Sequence, residues 1–263
     1  MTLDLQGSKW RLGSFEPFTL RRGQRVELVF AAETTQPGLL PVPHADFFHA
    51  AAVSSAELAL DDARIRLHVE RSTADRLTAR VLQGGRILPR KGITYRSSDY
   101  RQEQLSPKDR AILELTRGTI RVRYAVSYLR DAKEMSRYRA LCGSKAYLIA
   151  KLERQPAMDD IFPIAALADE LWLCRGDLGA ELGLRRMAEE VSRITRLVGQ
   201  SPRPVFLAGQ VLEHMTRHAA PTRSELCYLH DALAAGYAGL VLSDETAVGR
   251  YPIEACRLAA LFR

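Results

Sequence analysis

Long hydrophobic runs are missing from this chain. No stretch approaches the roughly 18 apolar residues of a membrane-crossing helix, so no span of that kind is expected. The opening residues, Met-Thr-Leu-Asp-Leu, lack the basic start and apolar centre of a secretion signal. Cysteine is sparse: Cys142, Cys174, Cys227 and Cys256 stand far apart, and no CxxC pair occurs. Cys174 falls inside an expected strand, so buried, reduced thiols and a cytoplasmic location are expected. No glycine-rich loop ending in Lys-Ser/Thr cradles a phosphate, and no Ser–His–Asp series can be read. His44 and His49 flank Ala-Asp-Phe-Phe without a third ligand at a sensible spacing, which removes zinc. His214, His218 and His230 fall on helical or loop stretches and read as surface residues. Acidic charge is in deficit, giving a net charge of +7 that comes mostly from scattered arginines. A nucleic-acid surface would cluster them among aromatics. Small anionic substrates suit the balance better, and neither nucleic acid nor a membrane is expected as a partner.

What is present is a globular composition, 46% hydrophobic over 263 residues. That length suffices for one large domain, or for a barrel carrying a small insert. From about residue 105 onward, short apolar runs alternate with helical patterns, the signature of βα units. The expected strands are 122–127, 146–151, 171–174, 205–208 and 240–243, with a first short strand at 3–5. Leu184, Met187, Ala188, Val191, Ile194 and Val198 recur at helical spacing, with Gly199 as the expected cap. Thr222 and Glu225 fit a capping box, and a last helix is expected from about Pro252. Residues 15–91 differ, with turn signals between short alternating strands at 25–30, 65–70 and 77–82. The economical reading is an insertion after an early barrel strand, because barrels tolerate insertions in their βα loops.

Barrels carry function at the C-terminal ends of their strands. Two apolar runs here end in charge: Tyr147-Leu-Ile-Ala-Lys-Leu-Glu153 and Leu171-Trp-Leu-Cys-Arg-Gly-Asp177. Neighbouring strand ends would bring Lys151, Glu153 and Asp177 into one mouth. Two hard oxygen ligands beside a cation make a Mg²⁺ and phosphate site.

These motifs fall in a series: Leu3-Asp-Leu-Gln-Gly-Ser-Lys-Trp-Arg-Leu-Gly13, Leu60-Asp-Asp-Ala-Arg-Ile65, Arg90-Lys-Gly92, Leu105-Ser-Pro-Lys-Asp109, Ala150-Lys-Leu-Glu153 and Arg175-Gly-Asp-Leu-Gly179. Ala208-Gly-Gln-Val-Leu-Glu-His-Met215, Pro221-Thr-Arg-Ser-Glu225 and Leu242-Ser-Asp-Glu-Thr-Ala-Val-Gly-Arg-Tyr-Pro252 follow. In order and spacing, nearly the whole chain resembles the pyruvate kinase family. The resemblance implies an α/β fold, a partial TIM (β/α) barrel of about six βα units with an inserted small β-rich lid domain. Residues 1–13 and 92–263 would form the barrel and 14–91 the lid. It implies phosphoryl transfer from phosphoenolpyruvate to ADP, giving pyruvate and ATP, with Mg²⁺ (or Mn²⁺) and K⁺ as cofactors. Glu153 and Asp177 would bind the divalent cation and Asp4 the monovalent one. Lys151 would stabilise charge on the phosphoryl group and the enolate. Arg175, Gly176 and Gly209 would meet the substrate, with backbone N–H groups of Gly176 and Asp177 facing its carboxylate. Arg11 and Lys91 would touch the nucleotide.

The chain departs from the family pattern at Gly209, where the family has threonine, and at Ser8 and Asp244. Loss of that hydroxyl, implicated in enolate protonation, slows turnover by on the order of 10²–10⁴. The family's first two βα units and its C-terminal regulatory domain have no counterpart here. Six strands cannot close an eight-stranded barrel, so an oligomer or a partner chain is expected to complete it. Two alternatives remain open. One is metal-dependent enolate chemistry of aldolase or lyase type on an oxo-acid. The other is a catalytically impaired remnant that binds ligand or a full-length partner.

Overall fold

The computed structural model describes residues 1–53, 57–95, 105–119 and 121–262. Numbered along the chain, strand β1 (Thr2–Leu5) comes first. It is followed by β2 (Trp10–Arg11), β3 (Phe18–Leu20), β4 (Arg25–Phe30), β5 (Leu39–Val42), helix α1 (Ala45–Val53), β6 (Glu57–Leu60), β7 (Ile65–Ser72), β8 (Arg76–Gln83), β9 (Gly85–Ile87) and β10 (Gly92–Tyr95). Then come α2 (Pro107–Thr116), β11 (Arg123–Val126), α3 (Ala132–Cys142), β12 (Tyr147–Leu152), α4 (Gln155–Asp159), α5 (Ile161–Leu167) and β13 (Glu170–Cys174). The last elements are α6 (Arg175–Leu182), α7 (Leu184–Thr195), β14 (Val205–Ala208), α8 (Arg223–Ala234), β15 (Gly239–Val241), α9 (Asp244–Ala247) and α10 (Pro252–Ala260).

Two compact units result. One comprises Met1–Leu5, Pro107–Leu178 and Arg185–Arg263; the other comprises Gln6–Ser106 with Gly179–Leu184. The sequence reading put the division at 13/14 and 91/92. The observed division encloses β2 and β10 in the second unit, because Trp10 and Arg11 pair antiparallel with Ile93 and Gly92.

The first unit is a six-stranded parallel sheet in the order β1-β11-β12-β13-β14-β15, with helices between successive strands from β11 on. This is the expected partial (β/α) barrel. Leu148, Ile149, Ala150 and Leu152 are all at most 1% exposed, which is why β12 reads as a continuous apolar run. Among the described residues, β1 and β15 each have a strand neighbour on one side only. At the N-terminal strand ends, buried Glu170 accepts from the Tyr147 hydroxyl at 2.9 Å and from the Trp172 indole, a structural cluster. Helix α8 opens on the expected capping box of Thr222 and Glu225. Gly199 does not cap α7. The helix stops at Thr195 and the chain continues into a 3₁₀ turn, Val198–Gln200, that contains the glycine.

The second unit holds a seven-stranded sheet, β2-β10-β6-β7-β8-β4-β5, and the small pair β3-β9. Its core includes Trp10, Phe47, Phe48 and Tyr95, with Phe47 packed edge-on to Trp10 at 5.6 Å. The phenylalanines between His44 and His49 therefore serve α1 as core anchors. The β6–β7 hairpin turns through Asp61, Asp62 and Ala63, three successive residues with left-handed φ of 52°, 54° and 63°. Ion pairs flank that turn, Lys91 to Asp61 at 2.7 Å and Lys9 to Asp62 at 3.8 Å.

Cys142, at the end of α3, is buried, and burial pushes its thiol from about 9.0 up to about 11. The unfolded chain therefore loses this proton first as pH rises. The contribution is full below pH 9.0 and drains away as pH climbs towards 11. Melting temperatures of the natural protein and Cys142→Ala should converge between pH 8 and pH 10.5, where pH 8 shows the natural protein ahead. A constant gap would rule the thiol out as the source.

Candidate active site

Parallel pairing aligns the strand ends. Asp4 lies beside Ala125, Ala125 beside Ile149, and Lys151 beside Trp172. Side chains two residues apart on a strand share a face, so Lys151, one turn of the pleat before Glu153, carries the cation to the same side as that carboxylate. Lys151 Nζ lies 3.0 Å from Glu153 Oε1 and 3.1 Å from Asp4 Oδ2. It also donates to Ser127 Oγ at 3.0 Å, and Ser127 in turn donates to Asp4 Oδ1. Asp4 is half a chain away in sequence, yet one lysine gathers both carboxylates.

Burial on its own would lower the Lys151 ammonium. Glu153, with Cys174, Asp4 and Asp177 behind it, outweighs burial and holds the group well above the usual lysine value. The lysine is therefore cationic throughout the neutral range. Cys174, at the end of β13, is pushed well up by burial and by Glu153, so it stays a thiol.

Glu153 is 2% exposed and uses both oxygens: Oε1 on Lys151, Oε2 on the backbone N–H of Tyr128 at 2.6 Å. Tyr128 presents that N–H from a left-handed backbone, φ 59°, which is uncommon for a bulky residue. The guanidinium of Arg154, itself 1% exposed, stacks on the Tyr128 ring at 4.9 Å.

A second group forms where β13 and β14 end. Asp177 lies in the first turn of α6, whose opening N–H groups favour anions. The turn after β14 is left-handed at Gly209 (φ 80°) and at Gln210 (φ 53°). A Cβ at 209 would stand 3.3 Å from the backbone nitrogen of Gly176 and 3.5 Å from that of Arg175. The Arg175 guanidinium donates to the carbonyl oxygens of Gly209 and Gln210, the latter at 2.9 Å, and stacks over Tyr228 at 5.0 Å. Its fork is thus occupied by backbone.

Asp4, Lys151 and Glu153 come together directly, and Asp177 joins them as one of the charges acting on the lysine. Arg175, Gly176 and Gly209 meet at the neighbouring strand ends. Arg11 and Lys91 belong to the β-rich unit, where Arg11 donates to the carbonyl of Arg90 and Lys91 pairs with Asp61. Sequence reasoning missed Ser127, Tyr128 and Arg154. Ser127 had one signal, a hydroxyl as the last residue of an expected strand, and the other two had none.

Among the described residues, no group of three or more His, Cys, Asp or Glu forms a cage for a metal ion. Glu153 and Asp177, both acting on Lys151, are carboxylates, the donor type Mg²⁺ takes. That ion commonly takes one or two carboxylates and completes its shell with water and substrate phosphate. No helix among the described residues is long and apolar enough to cross a membrane.

Residues 1–256 match the family model described as pyruvate kinase, barrel domain. A pyruvate kinase of Agrobacterium vitis is 35% identical over 261 residues, covering 97% of this chain and 53% of the relative. One from Aeropyrum pernix is 32% identical, covering 99% of this chain and 56% of the relative. A chloroplastic pyruvate kinase isozyme G of Ricinus communis is 29% identical, covering 97% and 62%. The chain thus spans little more than half the length of these relatives. The match runs through every strand end that carries Asp4, Lys151, Glu153 and Asp177, and the chain belongs to the pyruvate kinase family.

Proposed function

We propose that this chain transfers a phosphoryl group between phosphoenolpyruvate and ADP, giving pyruvate and ATP, as a cytoplasmic glycolytic kinase. The observation that carries this reading is the Lys151 ammonium held between Asp4 and Glu153, 3.1 and 3.0 Å away, at strand ends. In the reaction, the bond from phosphorus to the enol oxygen breaks and a bond to a terminal ADP oxygen forms. Such transfers are catalysed mainly by positioning and charge neutralisation. Lys151 faces the charge that develops on the moving phosphoryl group and on the enolate oxygen. Glu153 and Asp177 would hold Mg²⁺ (or Mn²⁺), which supplies further neutralisation of phosphate charge when bound. The Gly176 and Asp177 N–H groups at the start of α6 would orient the substrate carboxylate. Arg175 pins the 209–210 turn beside them. Asp4 is proposed for K⁺, and Arg11 and Lys91 for the nucleotide.

The enolate must finally take a proton at carbon, and Gly209 offers no hydroxyl for that step. Water would carry the proton instead, so turnover is slow. The test is phosphorus NMR of the protein with phosphoenolpyruvate, ADP, Mg²⁺ and K⁺, where ATP is the expected new signal. An unchanged spectrum overturns the kinase reading. The side-chain-free turn at Gly209 favours one second reading, aldolase- or lyase-type chemistry in which a long-lived enolate meets another electrophile. A product with a new or broken carbon–carbon bond would establish it. The one-sided strands β1 and β15 support a further partner, a chain that adds strands to close the barrel. Sedimentation should then report an assembly larger than 29.4 kDa.

A further inference from the structure

We infer that Arg154 is a positioning residue for the divalent-cation site, acting through Tyr128 on Glu153. This rests on the reading of Glu153 as a cation ligand.

Consecutive residues at the end of β12 grip Tyr128 from two sides. Glu153 accepts its backbone N–H at 2.6 Å, and Arg154 stacks on its ring at 4.9 Å. Tyr128 itself is 4% exposed and sits in a left-handed conformation that tyrosine adopts only under constraint. Strain of this kind persists where surrounding groups over-determine it. Here the constraints are the stacked guanidinium on one side and the carboxylate on the other.

A fully buried guanidinium is an expensive way to fill space, because its charge must leave water. Leucine would pack the same room without that penalty. The guanidinium also acts on Glu134, whose carboxyl burial pushes up while the Arg130 N–H and then Arg154 pull it back towards the ionised form. Glu134 closes the loop that follows β11. Its Oε2 accepts from the Arg130 N–H at 2.6 Å, and its own N–H donates to Asp131 Oδ1 at 2.8 Å. Arg154 therefore ties together the loop's ring, the loop's carboxylate and, through the Tyr128 N–H, the orientation of Glu153. Residues that orient a metal-binding carboxylate from behind usually matter to affinity by 10–100-fold.

The experiment measures Mn²⁺ affinity by the electron paramagnetic resonance of free Mn²⁺, without substrate, alongside melting temperature. The natural protein is compared with Glu153→Gln, Arg154→Met, Tyr128→Leu and Tyr128→Phe. Glu153→Gln and Arg154→Met should each weaken Mn²⁺ by about tenfold or more. Tyr128→Leu, which keeps the N–H and loses the ring, should match Arg154→Met, whereas Tyr128→Phe should bind normally. The double variant Arg154→Met/Glu134→Gln, which also replaces the neighbouring buried carboxyl, gives the same readout if the single variant does not fold. Weakening by Glu153→Gln alone, with both arginine variants within twofold of normal, overturns the inference and leaves the cation site standing. Unchanged affinity in Glu153→Gln overturns the cation site, and the inference falls with it.

Discussion

Lys151→Met should slow phosphoryl transfer by about 10³-fold while Mn²⁺ binding survives. Removing one preorganised charge from a developing anion generally costs 10²–10³ in rate, and on the proposed reading this lysine serves both the phosphoryl group and the enolate oxygen. Its ammonium also sits 3.0 Å from a glutamate that the same reading gives to the cation. Taking the ammonium away removes a repulsion felt by that cation, so affinity should hold or tighten. Folding should suffer as well. Glu153 is nearly fully buried, and breaking a buried pair by removing one partner typically costs about 3–5 kcal/mol. Phosphorus NMR time courses, Mn²⁺ titration and thermal melting separate the three effects. A rate within tenfold of the natural protein would remove Lys151 from the chemistry. Loss of Mn²⁺ together with rate would instead make it a guardian of the carboxylates.

Restoring the family's threonine, Gly209→Thr, should destabilise the protein and leave its rate unimproved. The residue sits at φ 80°, a region where a β-branched side chain is a genuine outlier. Left-handed backbone costs roughly 1–2 kcal/mol for an ordinary residue. The new Cβ would also press on the Gly176 nitrogen at 3.3 Å, and the turn is pinned by Arg175 through the Gly209 carbonyl. A loss of about 2 kcal/mol lowers the melting temperature of a protein near this size by roughly 4–8 °C. Gly209→Ala isolates the backbone part and should fall partway. A hundredfold gain in rate at unchanged melting temperature would mean that the turn refits around threonine, and that the glycine is merely a lost hydroxyl.

These two residues also mark how far the sequence could be read. Lys151 was legible because parallel strands buried on both faces are continuous apolar runs, and a charge at the end of such a run has few places to go. Glu153 and Asp177 followed from the same rule. Gly209 was legible as a substitution but not as a shape: nothing in Ala208-Gly209-Gln210 announces two successive left-handed residues. Tyr128 shows the limit more sharply, since no sequence rule foretells positive φ at a tyrosine. Arg154 looks in sequence like one more solvated charge after a strand, and only burial reveals that its side chain turns inward. The division of the units escaped for a related reason. Trp10 and Arg11 belong to a motif that reads as one barrel strand, but their pairing with β10 is a contact across more than eighty residues of chain. Fold class and principal charges were therefore readable locally, whereas the groups that hold those charges in place were set by long-range packing.

The pairing of Asp4 with Lys151 spans 147 positions. Closing so long a loop early in folding is entropically unfavourable, and such distant contacts slow a chain's search for its native topology. The antiparallel β2–β10 pair shortens that separation, because it brings residues 10–11 against 92–93 and leaves the stretches 4–10 and 93–151 outside it. With that pair formed, the loop left between Asp4 and Lys151 is less than half as long, which lowers the entropy of closing it.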